Sequence, residues 1–390
     1  MPVTPVRNMI YQTLLPVLAP SYRLLPLSVQ GHTLFYQKDF QSLLQRHHAM
    51  GGAVILSTPS QISLILSSIE LSGHQAHPDT YFRLASLTKT ACSICVLRCI
   101  ENGLFSLQTP INELLPQSHD RLKDMKVHHL LSHTSGMQDT VHSQMCLRQH
   151  RPYTDVLDHE ETCIAPPGAA FHYCNFSFGL LGSILESVTG ACISEVFRSL
   201  LFSPLDMSAT LNSAELNDEQ IMPMTRILPY RKNSDIRRTA AESVPLETCD
   251  PLFHYGPVQG SMFATVNALH RMLSVLTSIK SQASSSLLSP ASIQAMKTTY
   301  GRYGAVSPTL SYCLGLLRID DPSISSHPVF GHQGFAYGAV HGAFMEDSTD
   351  RCVIFLNGGC SEARKGRLAS VNYDLLKLGF KEMSTWSSTK

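Results

Sequence analysis

The stretch Ser86-Leu87-Thr88-Lys89-Thr90-Ala91-Cys92-Ser93-Ile94-Cys95-Val96-Leu97-Arg98-Cys99-Ile100-Glu101-Asn102 puts a hydroxyl and an amine one helical turn apart. Its only charges are Lys89, Arg98 and Glu101, and Ala91, Ile94, Val96, Leu97 and Ile100 make it apolar nearly all round. Such a helix is buried on every side, and Asn102-Gly103 supplies its C-cap. An ammonium in the first turn of a buried helix is costly unless it is paired or neutral. Desolvation lowers a lysine's pKa, which suits a general base beside Ser86. Taken alone, Ser-x-x-Lys equally describes an N-cap serine with a solvent-facing lysine. The flank Tyr81-Phe82-Arg83-Leu84-Ala85 and the apolar helix that follows make an exposed Lys89 awkward.

Outward from this helix, Asp39 to His48 reads as a helix ending near Gly51-Gly52. Ala53–Ser57 and Gln61–Leu66 read as two strands joined by the turn-forming triplet Thr58-Pro59-Ser60. From about 105 to 245 the pattern is helix and loop, with helices at 127–131, 177–188 and 194–201 and no strand signal. A helix at 267–276 precedes strands at 313–319, 329–331, 337–344 and 352–357, and a helix at 367–378 closes the pattern. Strands near both ends with helices between them imply an α+β fold: one mixed, largely antiparallel sheet flanked by helices, with an inserted helical subdomain. The domain reading is an N-terminal arm at 1–35 and a catalytic domain at 36–390 that carries the insert at about 105–245.

The 390 residues are 43% hydrophobic and 15% charged, enough for a sizeable core. Thirty basic and thirty acidic side chains cancel without a run of like charge, so nothing points to a polyanion, and the expectation is no nucleic-acid partner. Eleven scattered cysteines, mostly inside apolar runs, fit free buried thiols in a reducing compartment. Cys92, Cys95 and Cys99 lie at helical spacing, yet no second pair follows to complete a zinc site. Near the N-terminus Gln12 and Pro16 interrupt the apolar run Met9–Ala19, a poor secretory signal, and no stretch nears the roughly 20 apolar residues of a membrane span. The resulting expectation is a cytoplasmic protein without a membrane span.

Further blocks stand in order along the chain: Phe82 to Lys89, Val127-His128-His129-Leu130-Leu131-Ser132-His133-Thr134-Ser135-Gly136, Pro167-Gly168, Tyr173-Cys174-Asn175, Gly179 to Gly190, Pro204-Leu205-Asp206-Met207 and Gly331-His332-Gln333-Gly334. Together they resemble the serine hydrolases of the penicillin-recognising fold, which include class C β-lactamases, D-alanyl-D-alanine carboxypeptidases, D-aminopeptidases and related esterases. The resemblance covers roughly residues 50 to 380. It implies Ser86 as the acylated nucleophile, Lys89 as the group that helps remove its proton, and Tyr173 as a partner in proton transfer to the leaving group. Lysine's positive field favours phenolate, so Tyr173 is also read as a base. Asn175 is implied to hold Lys89 and a substrate amide, Gly334 to admit substrate backbone, and the N–H groups of Ser86 and Phe335 to form an oxyanion hole. His332 stands where many relatives carry the lysine of Lys-Thr-Gly, so a largely neutral group replaces a permanent cation. Gln333 departs from the usual small or hydroxyl residue. Asp206 stands where relatives often have glycine.

The expected chemistry is cleavage of an amide or ester in a small-molecule or peptide substrate, such as a D-amino-acid peptide or small ester, with no metal and no cofactor. An acyltransferase using the same acyl-enzyme, or a non-catalytic binding protein of the same fold, are the alternatives. His128, His129 and His133 read as a structural loop rather than a metal site, and Cys174 as a packing residue. The chain lacks the Gly-x-Ser-x-Gly elbow of a Ser-His-Asp hydrolase. The segment 205–260, with Arg226, Tyr230 and Arg231, is expected to wall the substrate site.

Overall fold

The computed structural model describes residues 5–15, 22–70, 73–227, 235–236, 246, 248–277 and 287–386. One antiparallel sheet contains β1 (Ser28–Gly31), β2 (Gly52–Ser57), β3 (Ile62–Ser67), β4 (Gly301–Arg302), β5 (Leu310–Tyr312), β6 (Leu317–Ile319), β7 (Val329–Ala336), β8 (Ala339–Glu346) and β9 (Cys352–Asn357). Their spatial order is β1-β3-β2-β9-β8-β7-β6-β5-β4, so the C-terminal strands complete the sheet begun by the N-terminal hairpin. Successive side chains on a strand point to opposite faces, and here both faces are apolar. In β2, Ala53 and Ile55 join one buried cluster while Val54 and Leu56 join the other. The same split recurs in β3, with Leu64 and Leu66 against Ile65, and in β9, with Ile354 and Leu356 against Val353 and Phe355. A sheet covered on both faces needs continuous apolar strands, which is why Ala53–Leu56 and Cys352–Leu356 show no polar alternation.

The helices that bear on the site are α1 (Gln37–Arg46), α2 (Thr88–Glu101), α3 (Asn175–Thr189), α4 (Val266–Ser274) and α5 (Ser370–Trp386). One face of the sheet is covered by α1 through Phe40, Leu43 and Leu44 and by α5 through Leu375, Leu376 and Phe380. The other face meets α4 through Leu269, Met272 and Leu273, and its core continues into α2 and α3. The helix expected from Ser86 is therefore central, with Lys89 to Leu97 buried along its length. In α3, Leu180, Leu181, Ile184 and Leu185 are fully buried, and Gly190 at φ 67° ends the helix in the left-handed region.

Several expectations need correction. The strand expected over 313–319 is instead the hairpin β5–β6, because Gly315 takes φ 72° and Cys313 N donates to Leu316 O at 2.8 Å. A Cβ on Gly315 would stand 2.0 Å from Ser93 Oγ, so the turn is pressed against α2. The closing helix starts at Ser370 and runs to Trp386, while Leu368–Ala369 pairs with Arg364–Lys365. Short strands also occur where none was expected: Ala209–Thr210 pairs with Phe263–Ala264, which pairs with Phe82–Arg83. Two residues are too few to show a period. Among the described residues no single helix is long and apolar enough to cross a membrane; Asn175–Thr189 with Ile193–Phe202 reaches that composition only as a pair bent by 87°.

Candidate active site

Ser86 lies not in the helix proper but in the 3₁₀ turn Ala85–Leu87 that leads into α2. Ala85 has φ 50°, a left-handed conformation that costs a non-glycine residue about 1–3 kcal/mol. Thr88 Oγ1 holds the turn by donating to Ala85 O at 2.7 Å, and β7 packs against it from the sheet side. A Cβ on Gly334 would come within 2.4 Å of Leu84 O and 3.2 Å of Ala85 Cβ. Only glycine lets β7 lie this close to the turn that presents Ser86.

The Lys89 amine is fully buried and donates to Ser86 Oγ at 3.1 Å, Asn175 Oδ1 at 2.8 Å and Gln259 O at 2.6 Å. Burial lowers its pKa to about 8, with the Asp139 carboxylate opposing that shift. If the amine is neutral, two N–H bonds go to Asn175 Oδ1 and Gln259 O, and the lone pair is left facing Ser86 Oγ. That is the arrangement a general base requires.

Tyr173 shares a side-chain hydrogen bond with Ser86, and its ring lies 5.3 Å from Lys89 Nζ and 4.1 Å from the His133 ring. Burial pushes the phenol well above its ordinary range, although the bond to Ser86 works the other way. Desolvation is the largest influence on Tyr173, and it favours the protonated phenol over the phenolate expected from the lysine's field. Asn175 opens α3, and its Nδ2 donates to Asp139 Oδ2 at 2.7 Å. Asp139 also accepts from Asn175 N and Phe176 N, each at 3.0 Å, and from Cys174 Sγ at 3.5 Å. The Cys174 thiol is buried, with its pKa raised chiefly by that burial, and it packs rather than reacts.

His332 sits on β7, buried. Nδ1–H donates to Gln333 O at 2.7 Å, which leaves Nε2 to accept from Tyr312 O–H at 2.9 Å. Burial, then the charge of Lys89, lowers its pKa to about 3, so the imidazole is neutral. Gln333 bonds outward instead: its amide donates to Arg367 O at 2.7 Å and accepts from Ala369 N at 2.9 Å, tying β7 to the start of α5. Phe335 follows Gly334 on β7, with the Arg364 guanidinium 3.9 Å over its ring.

Among the described residues no group of His, Cys, Asp and Glu is arranged to hold a metal. His128 bonds Leu107 O at 3.0 Å and His129 accepts from Lys126 N at 3.1 Å, so both brace their loop. His133 does more, since it accepts from Cys174 N at 3.2 Å and packs its ring against Tyr173 at a 36° tilt. Asp206 has φ 49°, a left-handed conformation that favours glycine, and it pairs with Arg271 at 2.9 Å. Arg226 lies against the β7–β8 turn, where a Cβ on Gly338 would be 2.4 Å from its Cα. Tyr230 and Arg231 lie outside the described residues. Asp139, Gln259 and Tyr312 were not anticipated. Asp139 and Tyr312 are separated by many residues from the groups they touch, and Gln259 acts through a backbone carbonyl that no side-chain pattern reveals.

The family model for Beta-lactamase matches residues 37–361. Penicillin-binding protein 4 of Amycolatopsis lactamdurans is 26% identical over 192 residues, covering 46% of this chain and 49% of that protein. Esterase EstB of Burkholderia gladioli is 30% identical over 155 residues, covering 35% and 39%. The matched stretches thus span half or less of these relatives' own lengths. Among solved structures, the D-amino acid amidase of Ochrobactrum anthropi SV3 superposes with a TM-score of 0.72 at 20% identity, over 90% of this chain and 99% of the amidase. With its antiparallel sheet, its buried Ser-x-x-Lys turn and a family match across most of its length, the chain belongs to the β-lactamase family.

Proposed function

We propose that the protein is a serine hydrolase that opens an amide or ester bond through an acyl-enzyme on Ser86. The carrying observation is Lys89: fully buried, brought down to about 8, and bonded so that a neutral amine faces Ser86 Oγ. In the first step the Ser86 proton passes to Lys89 Nζ as Oγ adds to the substrate carbonyl. The oxyanion is assigned to the N–H groups of Ser86 and Phe335, whose preorganised donation is worth a few kcal/mol. Tyr173, protonated and bonded to Ser86, gives its proton to the leaving amine or alcohol and regains one from Lys89. Water then attacks the Ser86 ester, the acid leaves, and the serine hydroxyl is restored.

His332 supports a choice of substrate class. A neutral imidazole spent on Tyr312 and Gln333 provides no cation for a substrate carboxylate. The reading therefore favours a D-amino-acid amide or peptide, or a small ester, over a β-lactam. The likeness to an esterase and to a D-amino acid amidase supports the same choice. The test is fluorophosphonate labelling of wild type and Ser86→Ala, followed by turnover of D-aminoacyl amides, acyl-D-Ala-D-Ala, short p-nitrophenyl esters and a chromogenic cephalosporin. Labelling that persists undiminished in Ser86→Ala overturns the proposal. Turnover accelerated by added alcohols or amines, with acylated products, reassigns the enzyme as an acyltransferase.

A further inference from the structure

We infer that Asp139 is a positioning residue that fixes the direction of the Asn175 amide and, through it, points the Lys89 lone pair at Ser86. The inference rests on the reading of Ser86 and Lys89 as the acylating pair. Asp139 sits in the loop between the helix Val127–Leu131 and the helix Val141–Arg148, and its carboxylate gathers bonds from Asn175 Nδ2, Asn175 N, Phe176 N and Cys174 Sγ. An ionised carboxylate only accepts. The NH₂ end of Asn175 must therefore face Asp139, and its oxygen must face Lys89. Turning the amide over would set its NH₂ against the lysine's donors and its oxygen against a carboxylate oxygen, replacing two hydrogen bonds by two repulsions.

The consequence for Lys89 is geometric. Gln259 O is a backbone acceptor held in place, at 2.6 Å, and cannot turn over. With Asn175 Oδ1 also fixed, both N–H bonds of a neutral amine are assigned and the third direction meets Ser86 Oγ. Without Asp139 the Asn175 amide loses one of the two contacts that set its direction, and the lone pair is less firmly committed. Asp139 is itself held by the first N–H groups of α3, where a negative charge is favoured. The side chain is thus anchored by the helix whose first residue it orients.

The experiment measures fluorophosphonate labelling of Ser86 against pH in the full chain for wild type, Asp139→Asn and Asp139→Glu, with circular dichroism and melting to report folding. The groups facing Lys89 are Asp139, Cys174, Cys92, Tyr173, His133 and His332, and of these Asp139 is the one whose charge holds the lysine's pKa up most. Asp139→Asn is expected to lower the plateau rate by about 100-fold and to move the rising limb to lower pH. Asp139→Glu keeps the charge and the acceptor, so its limb stays at the wild-type pH and its plateau within about tenfold of wild type. A purely structural role would reduce the folded fraction and leave the limb where it was. A folded Asp139→Asn with the wild-type plateau and limb overturns the inference. Should Asp139→Asn not fold, a folded Asp139→Glu that has lost labelling overturns it instead, and one that keeps the wild-type limb with a plateau within about tenfold supports it. Absence of Ser86 labelling in the wild type is a different result, and refutes the underlying acylation reading.

Discussion

Raising the pH from 6 to 9 should switch Lys89 on as a base. A pKa of about 8 leaves the amine about 1% neutral at pH 6, about 9% at pH 7 and about 90% at pH 9. The rate of Ser86 acylation by a fluorophosphonate should therefore climb about 90-fold across that range and level off above it. Neighbouring groups leave the limb single. His332 has been brought down to about 3, His133 is lowered by burial, and Tyr173 and Cys174 are raised by it. Lys89→Arg, a permanent cation, should lose about 10²–10⁴ in rate together with the limb itself. The sign for stability is fixed by the same shift: the unfolded chain's lysine, at 10.5, binds a proton that the folded one has released. Stability should rise with pH between about 8 and 10.5, by about 3 kcal/mol, and the cost is present in full below that window. The assay is a second-order labelling rate measured at constant ionic strength. A flat profile, or a rise centred near the ordinary range of histidine, would refute the assignment of Lys89 as base.

Other substitutions separate roles. Tyr173→Phe should slow an amide substrate by about 10²–10³ but a p-nitrophenyl ester much less, because that leaving group departs without a proton; equal losses in the two assays would remove Tyr173 from leaving-group protonation. Gly334→Ala drives a Cβ to 2.4 Å from Leu84 O, so β7 must retreat from the Ser86 turn. Denaturant titration should show a loss of about 1–3 kcal/mol and labelling should fall further than the folded fraction does, whereas unchanged labelling would refute the packing argument. Glu186, buried, accepts from Ile193 N at 2.7 Å, Asp250 N at 3.0 Å and His254 Nδ1 at 2.8 Å. Glu186→Ala orphans all three and should cost about 3–5 kcal/mol. It lies about 16 Å along α3 from Asn175, so labelling per folded molecule should match wild type.

Legibility followed signal length. β2 and β9 are continuous apolar runs, and the Ser86 helix is apolar for more than three turns, so burial alone imposes a pattern that a reader of the chain can see. The pairs Phe82–Arg83, Ala209–Thr210 and Phe263–Ala264 are too short for any period, and they form because neighbouring strands offer them partners. The 313–316 turn was hidden inside an apolar run, where one glycine at positive φ outweighs the strand propensity of its neighbours. In the site, Ser86, Lys89, Tyr173 and Asn175 stood out as side chains in recognisable blocks. Asp139 and the Gln259 carbonyl did not, since the partners that give them meaning lie 36 and 170 residues away.

The amino-acid sequence by itself determined that a serine stands three residues before a lysine in the first turn of a buried helix, that a sheet is built from both ends of the chain, and that a histidine stands two residues before Gly334. Those are consequences of local spacing and of apolar runs, which survive without knowledge of contacts. Tertiary structure alone set the surroundings that govern protonation: how far burial lowers Lys89 and His332, how far it raises Tyr173, and which way Asn175 faces. Each of these depends on desolvation and on donors and acceptors arriving from distant segments, and no local pattern in the chain encodes them.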